Sequence, residues 1–277
     1  MLPELLIATL AALLLDGPTS RASTANAVAA SAPADPAAAA GRGDANSIRA
    51  HEQLVAKARA GGIDLYFLGD SITRRWGTSD PQWAELLAHW NRNFHGWNAA
   101  NFGWGGDRIQ NILWRIENGE LDGVNPKVIV VLAGTNNVGN RPGGAAKVGD
   151  IVAAYRALLT TCRAKAPGAT IILTAIFPRN DSLDDPLAVM PEIRAINAEL
   201  AKLADGSSVL FLDVNAALAD AEGKLFEGVT IDKLHLSVKG YEAWANGLRP
   251  ILTKFLGAPA QTDHAPPPTG DPSVQGR

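Results

Sequence analysis

The chain has 277 residues, enough for one large domain or two small ones with a filled core. With 47% hydrophobic and 19% charged residues it has the composition of an ordinary soluble protein, and a net charge of −3 gives no electrostatic footing for nucleic acid or an anionic membrane surface. A single cysteine, Cys162, rules out an intrachain disulfide framework, and the five scattered histidines form no ligand-spaced pair, so neither a metal nor another cofactor is expected.

At the N-terminus the apolar run from Leu5 to Leu15 is shorter than the roughly 20 residues a membrane span needs, so no stable span is expected. The run suits a secretory signal, and Ala25-Asn26-Ala27 offers a cleavage site. The segment ahead of it has no Lys or Arg and contains Glu4, which keeps a buried N-terminal helix as the alternative. The expected organisation is a signal peptide at 1–27 that exports the protein, an Ala/Pro-rich linker at 28–45, a folded domain at 46–257 and a disordered Pro-rich tail at 258–277.

Within the domain a helix is expected over Ser47 to Ala60, followed by a strand over Ile63 to Gly69. Further strands are expected at Asn98 to Gly103, Lys127 to Gly134, Thr170 to Ile176 and Ser208 to Val214. Helical patterns at Pro81 to Trp90, Arg108 to Asn118, Ala145 to Lys165, Pro191 to Ala204 and Val238 to Phe255 fall between or after them. The third and fourth strands are nearly unbroken apolar runs, as strands buried on both faces of a parallel sheet must be. The expected fold class is therefore α/β: a three-layer α/β/α sandwich around a five-stranded parallel sheet, with ligands at the carboxyl ends of the strands.

Four polar clusters fall on that edge. The first strand ends in Gly69-Asp70-Ser71, where Ser71 is either a helix cap or a nucleophile. The second ends in "FGWGGDR", whose Gly105 and Gly106 can turn an uncovered N–H into a site, with Asp107 as a plain cap in the plainer reading. After the third, Asn136 of "GTNN" can donate its amide to an oxyanion or simply hold its own turn. Ahead of the last helix stands "DKLH", where Asp232 can orient His235 as a general base, or both can be ordinary loop residues.

The blocks "GDS", "FGWGGDR", "GTNN" and "DKLH" resemble, in order and spacing, the four blocks of the SGNH hydrolases, also called GDSL esterases, across roughly residues 47 to 257. The second block runs through "NFGWGGD" into "LWRIENGEL" and resembles the platelet-activating-factor acetylhydrolase catalytic-subunit branch. The resemblance implies the flavodoxin-like SGNH fold. It implies Ser71 as nucleophile, a Ser71–His235–Asp232 triad, and an oxyanion hole formed by the Ser71 N–H, the Gly106 N–H and the Asn136 side chain. Asn137 stands where many members carry Asp, Ile72 where they carry Leu, and Asp70 is expected to order its loop. No G-x-S-x-G surrounds Ser71, so the α/β-hydrolase elbow is not implied.

The expected activity is hydrolysis of a short acyl ester, an acetyl group on a carbohydrate, with a lipid or thioester acyl hydrolase as the alternative. A non-catalytic sugar-binding module is the third reading, disfavoured because such a module has no need of Ser71, Asp232 and His235 together. Trp76 and Trp104, next to the site in sequence, either stack sugar rings or pack in the core. The oligomeric state is not readable from the sequence.

Overall fold

A computed structural model describes residues 35–274. The expected signal peptide, and the linker as far as residue 34, lie outside the described residues. In chain order the elements are α1 (Ala45–Ala60), β1 (Leu65–Gly69), α2 (Ser71–Trp76), α3 (Ala84–Phe94), β2 (Ala99–Gly103), α4 (Ile109–Arg115), β3 (Val128–Leu132) and α5 (Thr135–Val138). They continue with α6 (Gly144–Lys165), β4 (Thr170–Thr174), α7 (Met190–Ala201), β5 (Val209–Leu212) and α8 (Val238–Leu256).

The five strands pair in parallel in the order β2-β1-β3-β4-β5. The period-2 pleat sorts their side chains cleanly between two cores. From β1, Tyr66 and Leu68 face one way, packing with Leu54 of α1, Ile112 of α4, Leu158 of α6 and Ile196 of α7. Leu65 and Phe67 face the other, against Trp76 of α2, Trp90 of α3 and Trp244 of α8. Strands covered on both faces must be apolar at every position, and β1 and β3 are buried throughout. The chain passes from β1 outward to β2 and returns to β3 on the other side of β1. This reversal opens the crevice between the carboxyl ends of β1 and β3, where open sheets of this order hold their ligands.

Both flanking segments depart from expectation. From residue 35 the linker docks on α4: Ala40 N–H donates to the Gln110 carbonyl at 3.0 Å, and Gln110 Nε2 reaches the Pro36 carbonyl at 2.7 Å. The tail after α8 is ordered as far as residue 274 and runs back across the domain. Ala260 N–H donates to Gly96 O at 2.9 Å, His264 N–H to Asn98 Oδ1 at 2.7 Å, and Asp271 Oδ1 accepts from Asn46 Nδ2 at 2.9 Å. Composition suggested disorder because the tail cannot build a core of its own. The domain supplies the polar anchors, and prolines already held extended lose little entropy in taking them.

Among the described residues no helix is long and apolar enough to cross a membrane, and no group of three His, Cys, Asp or Glu side chains could hold a metal ion.

Candidate active site

Ser71 opens α2, but it does not cap it. The cap is Asp70, whose Oδ1 accepts the Ile72 N–H at 2.9 Å. Ser71 Oγ is thereby left for another partner, His235 Nε2, at 2.9 Å. On the far side of the ring, His235 Nδ1 lies 2.7 Å from Asp232 Oδ2. The other Asp232 oxygen accepts the His235 backbone N–H at 2.7 Å and that of Leu234 at 3.2 Å. The carboxylate is thus fixed by its own loop, with Lys233 at φ 65° making the turn that brings Asp232 and His235 together.

Burial pushes the Asp232 carboxyl up, but the hydrogen bonds from His235 and Leu234 outweigh it, and the group sits below its ordinary value. His235 is lowered, first by burial and then by the positive charges of Arg75 and Arg179, against the raising effect of Asp232. Neutral imidazole beside a serine hydroxyl, with an ionised carboxylate on its other nitrogen, can take the serine proton and hold the resulting charge. Asp70 itself is fully buried and is raised to about 7, chiefly by burial and with the Asp107 charge adding to it.

The loop after β2 lies directly against the serine. A Cβ on Gly105 would come to 4.0 Å of Ser71 Cβ, and Gly106 sits exposed at φ 79°, a conformation that turns its backbone in a way other residues resist. Arg42, from the docked linker, donates to the Gly105 carbonyl at 2.8 Å and steadies this loop. Asn136, at the head of α5, donates Nδ2 to the Asp107 carbonyl at 2.8 Å. That bond ties the third block to the second and orients the amide. An amide nitrogen carries two hydrogens, so one donor remains.

Asn137 turns away from this work: its Oδ1 accepts the first helical N–H of α4, Ile109, at 3.0 Å, and its Nδ2 donates to Gln110 Oε1 at 2.9 Å. An amide serves both contacts, whereas a carboxylate there could not donate the second. Asp107 is not the α4 cap but a buried ion partner. Arg115 donates Nε to it at 2.7 Å and Nη1 to Glu120, and its Nη2 reaches the Gly69 carbonyl at 3.2 Å, behind the serine turn.

The two tryptophans are core residues and not platforms. Trp76 is fully buried among Phe67, Trp90, Phe94 and Tyr241, with its Nε1 donating to His89 Nδ1 at 2.9 Å. Five residues after Ser71 on a short helix, it points into the sheet face while Ser71 points out. Trp104 is 7% exposed and donates to Ser47 Oγ, with Arg74 stacked over it at 4.8 Å.

Sequence reasoning missed three arginines. Arg75 approaches Asp232 at 3.6 Å. Arg179, buried, is gripped by both oxygens of Asp181 and donates to the Thr135 carbonyl at 2.7 Å, pinning the turn that carries Asn136. Arg115 is the buried hub just described. "GDSITRRW" displayed Arg75, but nothing in a linear pattern says which way a helical arginine leans.

Residues 67–243 match the GDSL-like Lipase/Acylhydrolase family model. The chain is 28% identical over 232 residues to platelet-activating factor acetylhydrolase IB subunit alpha1 of Bos taurus, covering 83% of this chain and 93% of that one. It is 29% identical over 220 residues to the alpha2 subunit of Gallus gallus, covering 78% and 87%. Among solved structures, a GDSL-like lipase from Bacteroides thetaiotaomicron superposes with a TM-score of 0.56 at 18% identity, over 75% of this chain and 97% of that one. A catalytic mutant of an acetylxylan esterase from Geobacillus stearothermophilus superposes with a TM-score of 0.52 at 22% identity, over 69% and 94%. A family match that spans most of the chain, on a sheet that sets its four blocks side by side, makes this protein an acylhydrolase belonging to the GDSL-like family.

Proposed function

We propose that the protein hydrolyses short acyl esters, an acetyl group carried on a carbohydrate, through an acyl-enzyme on Ser71. The observation that carries the reading is the continuous chain Ser71 Oγ–His235 Nε2, His235 Nδ1–Asp232 Oδ2, at 2.9 and 2.7 Å. His235 takes the Ser71 proton as Oγ attacks the ester carbonyl. The tetrahedral oxyanion is met by the N–H groups of Ser71 and Gly106 and by the remaining Asn136 hydrogen. His235 then protonates the leaving alcohol, and water repeats the sequence to free the acid.

A long acyl chain needs an apolar wall, since each methylene left in water forgoes about 0.8 kcal/mol. Polar groups gather by the triad: Arg75 at 3.6 Å from Asp232, the Arg179 charge acting on His235, Asn136 on the Asp107 carbonyl and Arg42 on the Gly105 carbonyl. An apolar cavity of about 720 Å3 does exist along α7 and β5, lined by Met190, Ile193, Phe211 and Phe226, but no triad residue lines it. The polar rim suits a small acyl group on a hydroxyl-rich alcohol, even though the tryptophans do not supply the stacking surface. The apolar run at Leu5 to Leu15 favours a place of action outside the cytoplasm. A second reading, a lipid acyl hydrolase, is favoured by the acetylhydrolase relatives, whose name points to platelet-activating factor as the substrate.

The test is hydrolysis of p-nitrophenyl acetate, butyrate and octanoate by the wild type and Ser71→Ala, followed by acetylated xylo-oligosaccharides against platelet-activating factor. The expected result is a preference for acetate, loss of at least about 1,000-fold in Ser71→Ala, and faster deacetylation of the saccharide. Preference for octanoate removes the short-chain reading, and faster turnover of platelet-activating factor selects the lipid one.

A further inference from the structure

Arg75 lies one helical turn after Ser71 on α2. Helical side chains lean toward the N-terminus of their helix, so its guanidinium comes back toward the site. It stops with Nη1 at 3.6 Å from Asp232 Oδ2, the same oxygen that faces His235 Nδ1. Two features fix it there. Its Cζ rests over the Trp83 ring at 4.5 Å, a flat platform supplied by the turn ahead of α3. Its Nη1 is buried and has no hydrogen-bond partner, so the charge is directed at Asp232 across a gap too long for a hydrogen bond and short enough for strong attraction.

We propose that Arg75 is a positioning residue of the triad, attracting the Asp232 oxygen that faces His235 and opposing positive charge on the imidazole. This rests on the reading of Ser71, His235 and Asp232 as a triad. Of the groups that face His235, Asp232 on its own loop favours the imidazolium, while Arg75 on α2 and Arg179 after β4 disfavour it. Lys233 of the same loop is exposed. Arg179 is held by both oxygens of Asp181, which offsets most of its field, so Arg75 is the less compensated cation. Tyr241, on α8, is held neutral by burial and contributes no charge. The consequence is an enzyme whose base stays neutral, and therefore able to accept a proton, into mildly acidic solution. Removing the cation lets the imidazolium form at higher pH.

The test is the pH dependence of kcat/KM for p-nitrophenyl acetate between pH 4.5 and 8.5, for the wild type, Arg75→Gln and Arg75→Lys. The wild-type rate is expected to reach half its plateau below 6.5, the ordinary value of a histidine. In Arg75→Gln the limb is expected to move up by about half a unit to one unit, with Arg75→Lys restoring most of the difference. A limb that stays within about 0.2 unit in folded Arg75→Gln reduces Arg75 to a packing residue and overturns the proposal. Should Arg75→Gln fail to fold, Trp83→Leu keeps the charge and removes its platform: a smaller upward shift supports the proposal and none overturns it. If wild type and Ser71→Ala hydrolyse the ester equally, the triad reading itself fails. An NMR titration of the His235 ring in the Ser71→Ala background, with and without Arg75→Gln, then decides the role of Arg75 by the same upward shift or its absence.

Discussion

Asn136 gives one amide hydrogen to the Asp107 carbonyl at 2.8 Å, and this contact decides where the other can point. The same bond ties the third block to the second, so the two outer donors proposed for the oxyanion hole are held to one another. Asn136→Ala removes a donor and this tie at once. Its expected cost is about 3 kcal/mol of transition-state stabilisation, on the order of a hundredfold in kcat with little change in KM. Steady-state kinetics on p-nitrophenyl acetate check it, and a loss under about fivefold would take Asn136 out of the oxyanion hole. At this scale the sequence anticipated that Ser71, His235 and Asp232 meet but not how they are held. Ser71, Gly106, Asn136, Asp232 and His235 could be picked out because each ends a strand or heads the last helix. The division of labour between Asp70 and Ser71 was not legible, because Ser and Asp are equally good caps and only the φ/ψ of the turn decides between them.

Helix α2 is only six residues long, too short to hold its place by its own hydrogen bonds, and it is fastened from α8. Tyr241 donates its hydroxyl to the Ile72 carbonyl at 2.6 Å, one residue past the serine. His89 of α3 accepts from Trp76 of α2 on Nδ1, which leaves its Nε2 to donate to Glu242 of α8 at 2.8 Å. Since α8 begins three residues after His235, these bolts set the distance between nucleophile and base. Tyr241→Phe keeps the ring and removes the donor. It is expected to cost about 1–2 kcal/mol in urea unfolding and to lower kcat several-fold with KM unchanged. An unchanged kcat with the same stability loss would confine Tyr241 to packing. The strands and long helices were readable from β-branched runs and helical periodicity. The helix that Ser71 opens was expected from its cap-like turn and not from any period, and α5 was not readable, because four or six residues carry too few turns for a period to show.

Across the whole molecule, the least expected feature is Lys57, 5% exposed beneath the returning tail. Its Nζ donates to the Asn101 carbonyl at 3.0 Å and to Thr269 Oγ1 at 2.9 Å, and no carboxylate among the described residues forms an ion pair with it. Burial brings it down to about 7 from 10.5, with the distant Glu120 only partly offsetting this. Between those values the unfolded chain binds a proton that the folded one does not. Stability therefore rises with pH across that window and is lost as pH falls through 7. Lys57→Met lacks this penalty. It should exceed the wild type by about 1 kcal/mol or more at pH 6, the gap closing toward pH 9, as urea midpoints would show. A gap independent of pH would mean that Lys57 stays charged in the folded protein across this range.

No composition rule anticipates the tail itself, since its anchors belong to residues far away in sequence. It has a consequence at the margin of the sheet. β2 is the outermost strand on its side, and Pro266, Pro267 and Pro268 share with Ala99, Ala100 and Asn101 the lining of a cavity of about 150 Å3. A proline has no N–H to offer, so this segment can lie along the strand without extending the ladder. It occupies the place a foreign strand would need, and cutting the chain after Gly257 would leave β2 open to strand addition, the route by which folded sheets begin to polymerise.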